Sequence, residues 1–286
     1  MDFHEWAGNT IRVCLKPIRL SVLVCCLALV LFVGCYVHPE PTLRPVPAPE
    51  PSGTLLNREF RIGIAPIYLP LAYKFRGQLV GLEVDFAEQL GKELDKQITF
   101  VETPWPELIP ALVEGKIDII MSGMSITAER AQLVSFAEPY MQIGQMALVR
   151  ARDVSDFSNL KHFLDTTSRV GFVSDTTGEQ TAKEIFTNAK LMPQPTIDDG
   201  IATLRKGVID VFIHDAPTVW RIGGNPDEKE LVGLYWPLTK EPLAWAVRKS
   251  DVPLQFALSG KVKEWELSGR LKQLTSRWVT IHIVTR

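Results

Sequence analysis

Residues 121 to 140 read MSGMSITAERAQLVSFAEPY, and they follow directly on an apolar run at 117–120. That run predicts a short buried strand. Hydroxyl groups and a glycine lie at its carboxyl end, at Ser122, Gly123 and Ser125. In open α/β sheets, ligands bind at the carboxyl ends of strands. Arg130 can hold a carboxylate through two parallel hydrogen bonds, so the segment predicts a site for a small anion.

A similar pattern occurs twice in the chain. Residues 111–118 read ALVEGKID and residues 202–210 read ATLRKGVID, so each copy predicts a helix, a glycine stop and a buried strand. The first strand leads to Ser122 and Gly123, and the second, at 211–213, leads to His214 and Asp215. A chance match of so short a motif is the alternative. The repeat predicts two α/β lobes that face one cleft.

The order of the remaining elements gives the lobe boundaries. Strands are predicted at 55–64 and 98–101, and helices at 83–94, 106–114, 254–265 and 269–278. Apolar runs at 147–149 and 243–247 are interpreted as crossings between the lobes. We therefore predict that residues 55–149 and 243–286 form lobe 1, covered by the C-terminal helices, and that residues 150–242 form lobe 2.

The N-terminus predicts an export signal. Basic residues precede an apolar run at 21–33 that is too short for a bilayer span of about 20 residues. Gly34 and Cys35 follow, and the segment resembles a bacterial lipobox with Phe32 as a departure. We predict a leader at 1–35 whose Cys35 is acylated, with an ordinary secretory signal or a short anchor as alternatives. Six prolines in 39–53 predict an extended tether at 36–54.

Composition excludes several classes of function. All four cysteines lie in the leader or at its end, so the predicted folded part has no cysteine nucleophile, zinc knuckle or disulfide. There are 31 basic and 33 acidic residues, and this balance argues against a nucleic-acid-binding face. No cofactor is predicted.

Five motifs resemble one protein family across 55–278. They are YLPL at 68–71, GLEVDF at 81–86, WPELIPAL at 105–112, SITAER at 125–130 and HDAP at 214–217. The chain is similar to the family 3 extracellular solute-binding proteins, the polar amino-acid receptors of bacterial ABC importers. The resemblance implies a two-lobe α/β fold of the periplasmic-binding-protein type II class, with a cleft between the lobes and two crossing strands.

A zwitterionic amino acid needs a cation for its carboxylate and acceptors for its ammonium. Arg130 and Ser125, near Ser122, suit the carboxylate, and the Gly123 carbonyl suits the ammonium. Residues 176–179 open a helix predicted at 180–189, so Thr177 and the helix N-terminus add to the anion site, and Asp215 pairs with the ammonium. The resemblance implies that Tyr68 and Trp105 sandwich the ligand side chain.

Each of these residues also has a structural interpretation. Arg130 can be an exposed helix residue, Asp215 can cap the helix that follows it, and Trp105 can be a core aromatic residue. Family members that bind basic amino acids often carry an acid at Ala65, and glutamine receptors carry a lysine at Val173. Both positions are apolar here, so we predict a neutral or modestly polar ligand. Asp175 replaces a family glycine and is expected to face solvent.

The resemblance further implies delivery of the ligand to ABC permease subunits, by a monomer held at a bacterial membrane through an N-terminal lipid, in the periplasm or at the cell surface. Two rival functions remain open. One is an enzyme of the cyclohexadienyl dehydratase kind that uses Glu179, which otherwise is a favourable carboxylate in a first helical turn. The other is a sensory domain that closes on a ligand without feeding an importer. His214 is interpreted as structural.

Overall fold

The structure is a computed structural model that describes residues 53–279. The predicted leader at 1–35, including Cys35, and the tether up to residue 52 lie outside the described residues. Within 53–279, no helix combines the length and the apolar character needed to span a bilayer.

The first sheet contains five strands. They are β1 (Glu59–Ile64), β5 (Gln97–Glu102), β6 (Ile119–Ile120), β7 (Val134–Phe136) and β15 (Ala246–Arg248), and their order in the sheet is β5-β1-β6-β15-β7. β1 lies parallel to both β5 and β6, while β15 is antiparallel to β6 and β7. A small antiparallel sheet is formed by β2 (Ile67–Tyr68), β3 (Ala72–Phe75) and β4 (Gln78–Val80).

The second sheet repeats this plan. Its strands are β9 (Gln145–Arg150), β10 (Arg169–Val173), β11 (Lys190–Gln194), β12 (Val211–Asp215) and β13 (Leu231–Leu234), in the order β11-β10-β12-β9-β13. β10 is parallel to β11 and β12, and β9 is antiparallel to β12 and β13. Each sheet therefore contains parallel strands that are linked by helices. Each also contains one strand, β15 or β9, that runs antiparallel to both of its neighbours.

The described residues also form α-helices, which include those predicted at 83–94, 254–265 and 269–278. They are α1 (Leu82–Leu94), α2 (Leu108–Val113), α3 (Ala128–Leu133), α4 (Leu160–Leu164), α5 (Thr177–Ile185), α6 (Ile197–Arg205), α7 (Ala216–Gly223), α8 (Val252–Leu267) and α9 (Arg270–Trp278). Leu258 and Trp265 of α8 and Leu274 of α9 belong to the same buried core as Phe60 and Phe86. The C-terminal helices thus cover the first sheet, as predicted.

The crossing between the sheets differs from the prediction. A two-stranded antiparallel ribbon, β8 (Met141–Ile143) paired with β14 (Glu241–Leu243), connects the two sheets. Residues 147–149 lie inside β9 of the second sheet, and 246–247 lie in β15 of the first. The predicted boundary at 149 is therefore too late, because an apolar run fits a buried sheet strand as well as a crossing strand.

Several element bounds also differ. The strand predicted at 55–64 begins only at Glu59, after a 3₁₀ turn at Gly53–Leu56, and the strand predicted at 117–121 is reduced to Ile119–Ile120. The helix predicted at 180–189 spans Thr177–Ile185, because the Thr176 hydroxyl caps it by accepting from the Glu179 amide.

The sequence repeat corresponds to a structural repeat. In the first sheet, the Asp118 carboxylate accepts hydrogen bonds from the backbone and guanidinium of Arg61 and from Arg248. In the second sheet, Asp210 accepts the corresponding bonds from Arg169 and Arg150. Arg248 also donates to the Ile117 carbonyl and Arg150 to the Ile209 carbonyl. The two α/β units therefore share side-chain contacts as well as topology.

Candidate functional site

A cavity of about 560 Å³ lies between the two sheets, next to the carboxyl ends of their parallel strands. Seven of the eight ligand-site residues predicted from the sequence line it, namely Tyr68, Trp105, Gly123, Ser125, Arg130, Thr177 and Asp215. Ser122 does not. Its buried hydroxyl accepts a hydrogen bond from the Ala65 backbone N–H at 3.0 Å, which fixes the end of β1 instead.

Arg130 is the cation of the cavity. It lies on α3, which begins where the Thr127 hydroxyl accepts from the Arg130 amide. One guanidinium nitrogen donates to the Ser125 carbonyl at 2.9 Å, and the group lies 5.3 Å from the Trp105 ring centroid. Within residues 53–279, no carboxylate forms a salt bridge with it, and burial lowers its pKa. A partly buried guanidinium with free donors suits a carboxylate ligand.

Asp215 supplies the opposite charge from the second sheet. It ends β12 at the N-cap position of α7, yet its side chain makes no capping hydrogen bond. Its carboxylate instead accepts from the side-chain amide of Gln145. The interpretation of Asp215 as a side-chain cap of α7 is therefore wrong. Asp215 is part of the cavity lining instead.

Thr177 begins α5 and places the helix N-terminus at the cavity. The free N–H groups of a first helical turn favour an anion, because they carry partial positive charge. The Thr177 hydroxyl accepts a hydrogen bond from Gln145 Nε2 at 3.1 Å. A ligand carboxylate at this position meets both the helix start and that hydroxyl.

Gln145 was not singled out in the sequence. It is the first residue of β9, it is fully buried, and it contacts both Thr177 and Asp215. Its position after Gly144, far from the motifs in the chain, gives no local signal for this role. Only the antiparallel register, which pairs Gln145 with Asp215, brings them together.

Ser125 is tied to the crossing ribbon. Its hydroxyl donates to Glu241 at 2.8 Å, so that hydrogen is used within the protein rather than on a ligand. The other Glu241 oxygen accepts from the Thr239 hydroxyl at 2.6 Å, and Thr239 accepts from the Gln145 backbone N–H at 2.8 Å. A continuous hydrogen-bonded chain therefore runs from Ser125 through the ribbon to Gln145.

Gly123 lies in a cradle that admits no side chain. Its φ is +69°, and a Cβ there would lie 2.7 Å from Leu71 and 2.9 Å from the Tyr68 ring. Its N–H donates to the buried carboxylate of Glu83 at 2.6 Å. The backbone therefore approaches the cavity at this point as only glycine allows.

Two aromatic side chains border the cavity. The Tyr68 hydroxyl is buried next to Asp215, and burial, followed by the Asp215 carboxylate, raises the pKa of Tyr68 well above its usual value. Trp105 belongs to the first half of the molecule, but its indole N–H donates to the Asp175 carbonyl of the second half at 3.0 Å. Trp105 is thus a direct contact across the cleft.

Asp175 and Glu179 have different roles. Asp175 has a φ of +59°, which explains why glycine suits this position in the family, and its side chain is exposed at the cavity rim. Glu179 does not line the cavity. A hydrogen bond from Lys183 lowers the pKa of Glu179, which also accepts from the Asp175 N–H. Glu179 is therefore ionised and structural.

His214 lines the cavity beside Asp215. Burial lowers its pKa, so the imidazole is neutral near pH 7. Its Nδ1 accepts from the Asp215 N–H at 2.8 Å, and its ring contacts Tyr68 edge-on, with the centroids 5.8 Å apart. These contacts give it a packing role.

Comparisons with known proteins agree with this architecture. A probable histidine-binding protein of Campylobacter jejuni is 34% identical over 175 residues, or 61% of this chain and 66% of that protein. The histidine-binding periplasmic protein of Escherichia coli K12 is 28% identical over 241 residues, 78% and 88% of the two chains. Among solved structures, a putative ABC-transporter binding component of Wolinella succinogenes, complexed with lysine, has a TM-score of 0.75, 33% identity and coverages of 79% and 97%.

A second solved structure is an ancestral amino-acid-binding protein described as a precursor of cyclohexadienyl dehydratase. It has a TM-score of 0.70 and 32% identity, and the match covers 77% of this chain and 95% of that one. The sequence profile of the bacterial extracellular solute-binding proteins, family 3, matches residues 60–281. Two similar α/β units around a charged cleft fit that profile, and the chain belongs to the bacterial extracellular solute-binding proteins, family 3.

Proposed function

We propose that the chain is the extracytoplasmic substrate-binding protein of an ABC importer and that its cleft binds an amino acid. The observation that carries the proposal is the pair of charges across the cavity. Arg130 presents a guanidinium without an ion-pair partner among the described residues, and Asp215 presents a carboxylate from the second sheet. An α-carboxylate suits the first and an α-ammonium suits the second.

Binding of both charges favours the closed state. A ligand that contacts both sheets binds the closed cleft better than the open one, and it shifts the population toward closure. Thr177 and the start of α5 add anion contacts from the second sheet. Closure around a ligand, without covalent chemistry, is the mechanism that these groups support.

A thermal-shift screen against the L-amino acids and small dicarboxylates tests the proposal. A ligand at about 100 times its dissociation constant stabilises the folded protein by about 2.7 kcal/mol. We expect at least one amino acid to raise the melting temperature. Dicarboxylates that act while every amino acid fails would contradict an amino-acid site.

The class of ligand side chain has two candidates. The sequence predicts a neutral or modestly polar side chain, because Ala65 and Val173 carry no charge and both line the cavity. A cationic side chain is favoured by Asp175, whose carboxylate forms no salt bridge within residues 53–279. Relatives include proteins named for histidine, glutamine and arginine.

Competition between glutamine and arginine on the wild type and on Asp175→Asn distinguishes the two candidates. A preference for arginine that disappears in Asp175→Asn supports the cationic class. A preference for glutamine that is the same in both proteins supports the neutral class.

The dehydratase alternative lacks its proposed acid. Glu179 lies outside the cavity lining and is ion-paired with Lys183 at 2.7 Å. We therefore propose a receptor rather than an enzyme. Loss of prephenate or arogenate on incubation with the protein would contradict this part of the proposal.

We also propose that the protein is periplasmic and lipid-anchored through Cys35, and that it delivers its ligand to permease subunits. The basic and apolar leader that ends at Cys35 supports the anchor. Mass spectrometry of the mature N-terminus should find a diacylated cysteine at residue 35, and Cys35→Ala should lose the lipid. An unmodified terminus elsewhere would overturn the anchor and leave amino-acid binding untouched.

A further inference from the structure

Gln145 occupies the point where the crossing ribbon enters the second sheet. It follows β8 after a single residue, its side chain is fully buried, and it lines the cavity. Its backbone N–H is held by the Thr239 hydroxyl at 2.8 Å, and Thr239 in turn donates to Glu241. The side chain therefore projects from a backbone that is fixed on the ribbon side.

The side-chain amide of Gln145 joins the two ligand-facing groups of the second sheet. Its Nε2 donates to the Thr177 hydroxyl at 3.1 Å and to Asp215 Oδ1. An amide nitrogen has two hydrogens, so these two bonds use all of its donors. Its Oε1 is buried and has no hydrogen-bond partner among the described residues.

These bonds set the direction of hydrogen bonding at both neighbours. A hydroxyl has one hydrogen and two lone pairs. Because Thr177 accepts from Gln145, its own hydrogen is free to donate to an anion in the cleft. The Asp215 carboxylate has about four acceptor sites, so it can accept from the Gln145 amide and from the nearby Tyr68 hydroxyl and still accept from a cation.

We propose that Gln145 is a positioning residue that makes Thr177 a donor to the ligand carboxylate and Asp215 an acceptor for the ligand ammonium. The proposal rests on the proposed amino-acid function. On this proposal, the buried amide of Gln145 makes the cleft favour ligands that carry both a carboxylate and an ammonium group. The unpaired Oε1, one amide carbon away from Nε2, adds a second acceptor next to Asp215.

The start of α5 is shaped around this amide. A Cβ added at Gly178 would lie 3.2 Å from Gln145 Oε1 and 3.3 Å from the Thr176 hydroxyl. Such contacts are tighter than ordinary van der Waals distances, so a side chain at 178 would require the amide to shift by a few tenths of an ångström. Glycine at 178 thus allows the helix N-terminus and the Gln145 side chain to share the same wall.

Two variants of similar size test the proposal. Gln145→Glu keeps the shape, but a carboxyl group carries at most one hydrogen, so it cannot donate to both Thr177 and Asp215 as the amide does. Gln145→Met removes every hydrogen bond of the side chain. Gln142→Glu is the matched control, because Gln142 is exposed on β8 and receives the same change of charge outside the cavity.

The probe is an equimolar mixture of the twenty L-amino acids, read by native mass spectrometry, followed by titration of the retained amino acid and of the amine that lacks its carboxyl group. In Gln145→Glu at least one neighbour loses its donor, and the Thr177 hydrogen can then bond to the introduced carboxyl oxygen instead of the ligand carboxylate. We expect the affinity ratio of amino acid to amine to fall about tenfold to a hundredfold. Gln145→Met should weaken amino-acid binding about tenfold or more, and the control should match the wild type.

A role in packing alone would lower both affinities equally and leave the ratio unchanged. Ratios and affinities within about twofold of the wild type in both variants would overturn the proposal. If one variant fails to fold, the affinities measured with the other variant still test the proposal. A wild type that retains no amino acid would overturn the proposed function itself, and this inference with it.

Discussion

Arg130 and Glu83 are charged side chains next to the cleft that have no salt-bridge partner within residues 53–279. Arg130 faces the cavity, whereas Glu83 lies fully buried beneath Gly123. Isolated buried charges are costly unless hydrogen bonds or a ligand compensate them. At the scale of single residues, Arg130 is the group that we propose for the ligand, and Glu83 supports the backbone of Gly123 beneath the cavity.

Replacing Arg130 with lysine should weaken ligand binding. Lysine cannot form two parallel bonds to a carboxylate, and truncating a buried charged contact costs about 2 to 5 kcal/mol. Isothermal titration calorimetry measures the loss, and the unfolding free energy without ligand should change by less than about 0.5 kcal/mol. Arg270→Lys, on the exposed side of α9, is the control. Near-normal affinity in Arg130→Lys would remove Arg130 from the site.

Glu83 links three segments around the cleft. Its carboxylate accepts from the Gly123 N–H at 2.6 Å, the Tyr140 hydroxyl at 2.5 Å and the Trp245 indole at 3.1 Å. Tyr140 precedes β8 and Trp245 follows β14, so both strands of the crossing ribbon are tied to this carboxylate at the end next to the first sheet. Burial raises the pKa of Glu83 to about 7.

This raised pKa predicts the direction of a pH effect. The unfolded chain loses the Glu83 proton near its ordinary pKa of about 4.3, whereas the folded protein keeps it up to about 7. The folded state then binds more protons, so stability falls as pH rises through this window, by an amount on the order of 3 kcal/mol. Urea unfolding as a function of pH should show a smaller decrease in Glu83→Gln. Glu88→Gln, exposed on the same helix, should keep the wild-type profile.

At the scale of elements, the repeated Arg–Asp–Arg contacts fix each strand end that leads to the cleft. Asp118 precedes β6, and Asp210 precedes β12, which ends at Asp215. In each case one carboxylate binds an arginine from the neighbouring parallel strand and one from the neighbouring antiparallel strand. The carboxylates therefore set strand register at the amino ends, while the opposite ends carry the site.

Removing the Asp118 carboxylate should destabilise the protein more than removing the Asp210 carboxylate. The Asp118 side chain is 2% exposed and that of Asp210 is 20% exposed. Asp118→Asn should cost about 3 to 5 kcal/mol, because it removes the charge of a buried carboxylate that accepts from two arginines, and Asp210→Asn about 1 to 3 kcal/mol. Urea unfolding measures both. An equal or reversed order would contradict the argument from burial.

The same contacts predict acid sensitivity. Hydrogen bonds from Arg169 lower the pKa of Asp210 to about 2. The stability that Asp210 contributes is complete above its ordinary pKa of about 3.9 and is lost as pH falls toward about 2. Asp210→Asn should remove this part of the acid dependence.

At the scale of the whole molecule, the two halves are joined by the β8–β14 ribbon and by direct contacts across the cleft. The Trp105 indole bonds the Asp175 carbonyl, and its ring lies over Arg130. One side chain thus contacts the anion-binding cation and the opposite wall. In the proposed mechanism, this side chain would connect closure of the cleft with the anion site at Arg130.

Trp105→Phe should keep the ring over Arg130 and lose the bond across the cleft. A neutral hydrogen bond contributes about 0.5 to 1.5 kcal/mol, so ligand affinity should fall about twofold to tenfold. Titration calorimetry measures the change. Trp220→Phe, on α7 outside the cavity lining, should bind like the wild type. An unchanged affinity in Trp105→Phe would show that the bond does not stabilise the closed state.

The sequence by itself determined the features that depend on neighbouring residues in the chain. The apolar periodicity of 82–94, the glycine stops at 115 and 207 and the threonine caps at 127 and 176 are local signals. They predicted two α/β units, and they placed Thr177 at the opening of a helix. Because strand ends carry the ligand in such sheets, the same local signals predicted Gly123, Ser125 and Asp215, which line the cavity.

Only the tertiary structure decided which strands cross and which buried groups meet. The runs at 147–149 and 243–247 are equally apolar, and pairing between distant strands is what separates the crossing ribbon from the sheets. Gln145 reaches Asp215 across 70 residues, and Glu83 reaches Trp245 across 162. Side-chain hydrogen bonds of this kind leave no periodic trace in the sequence, because they depend on the register of strands that pair only after the chain has folded.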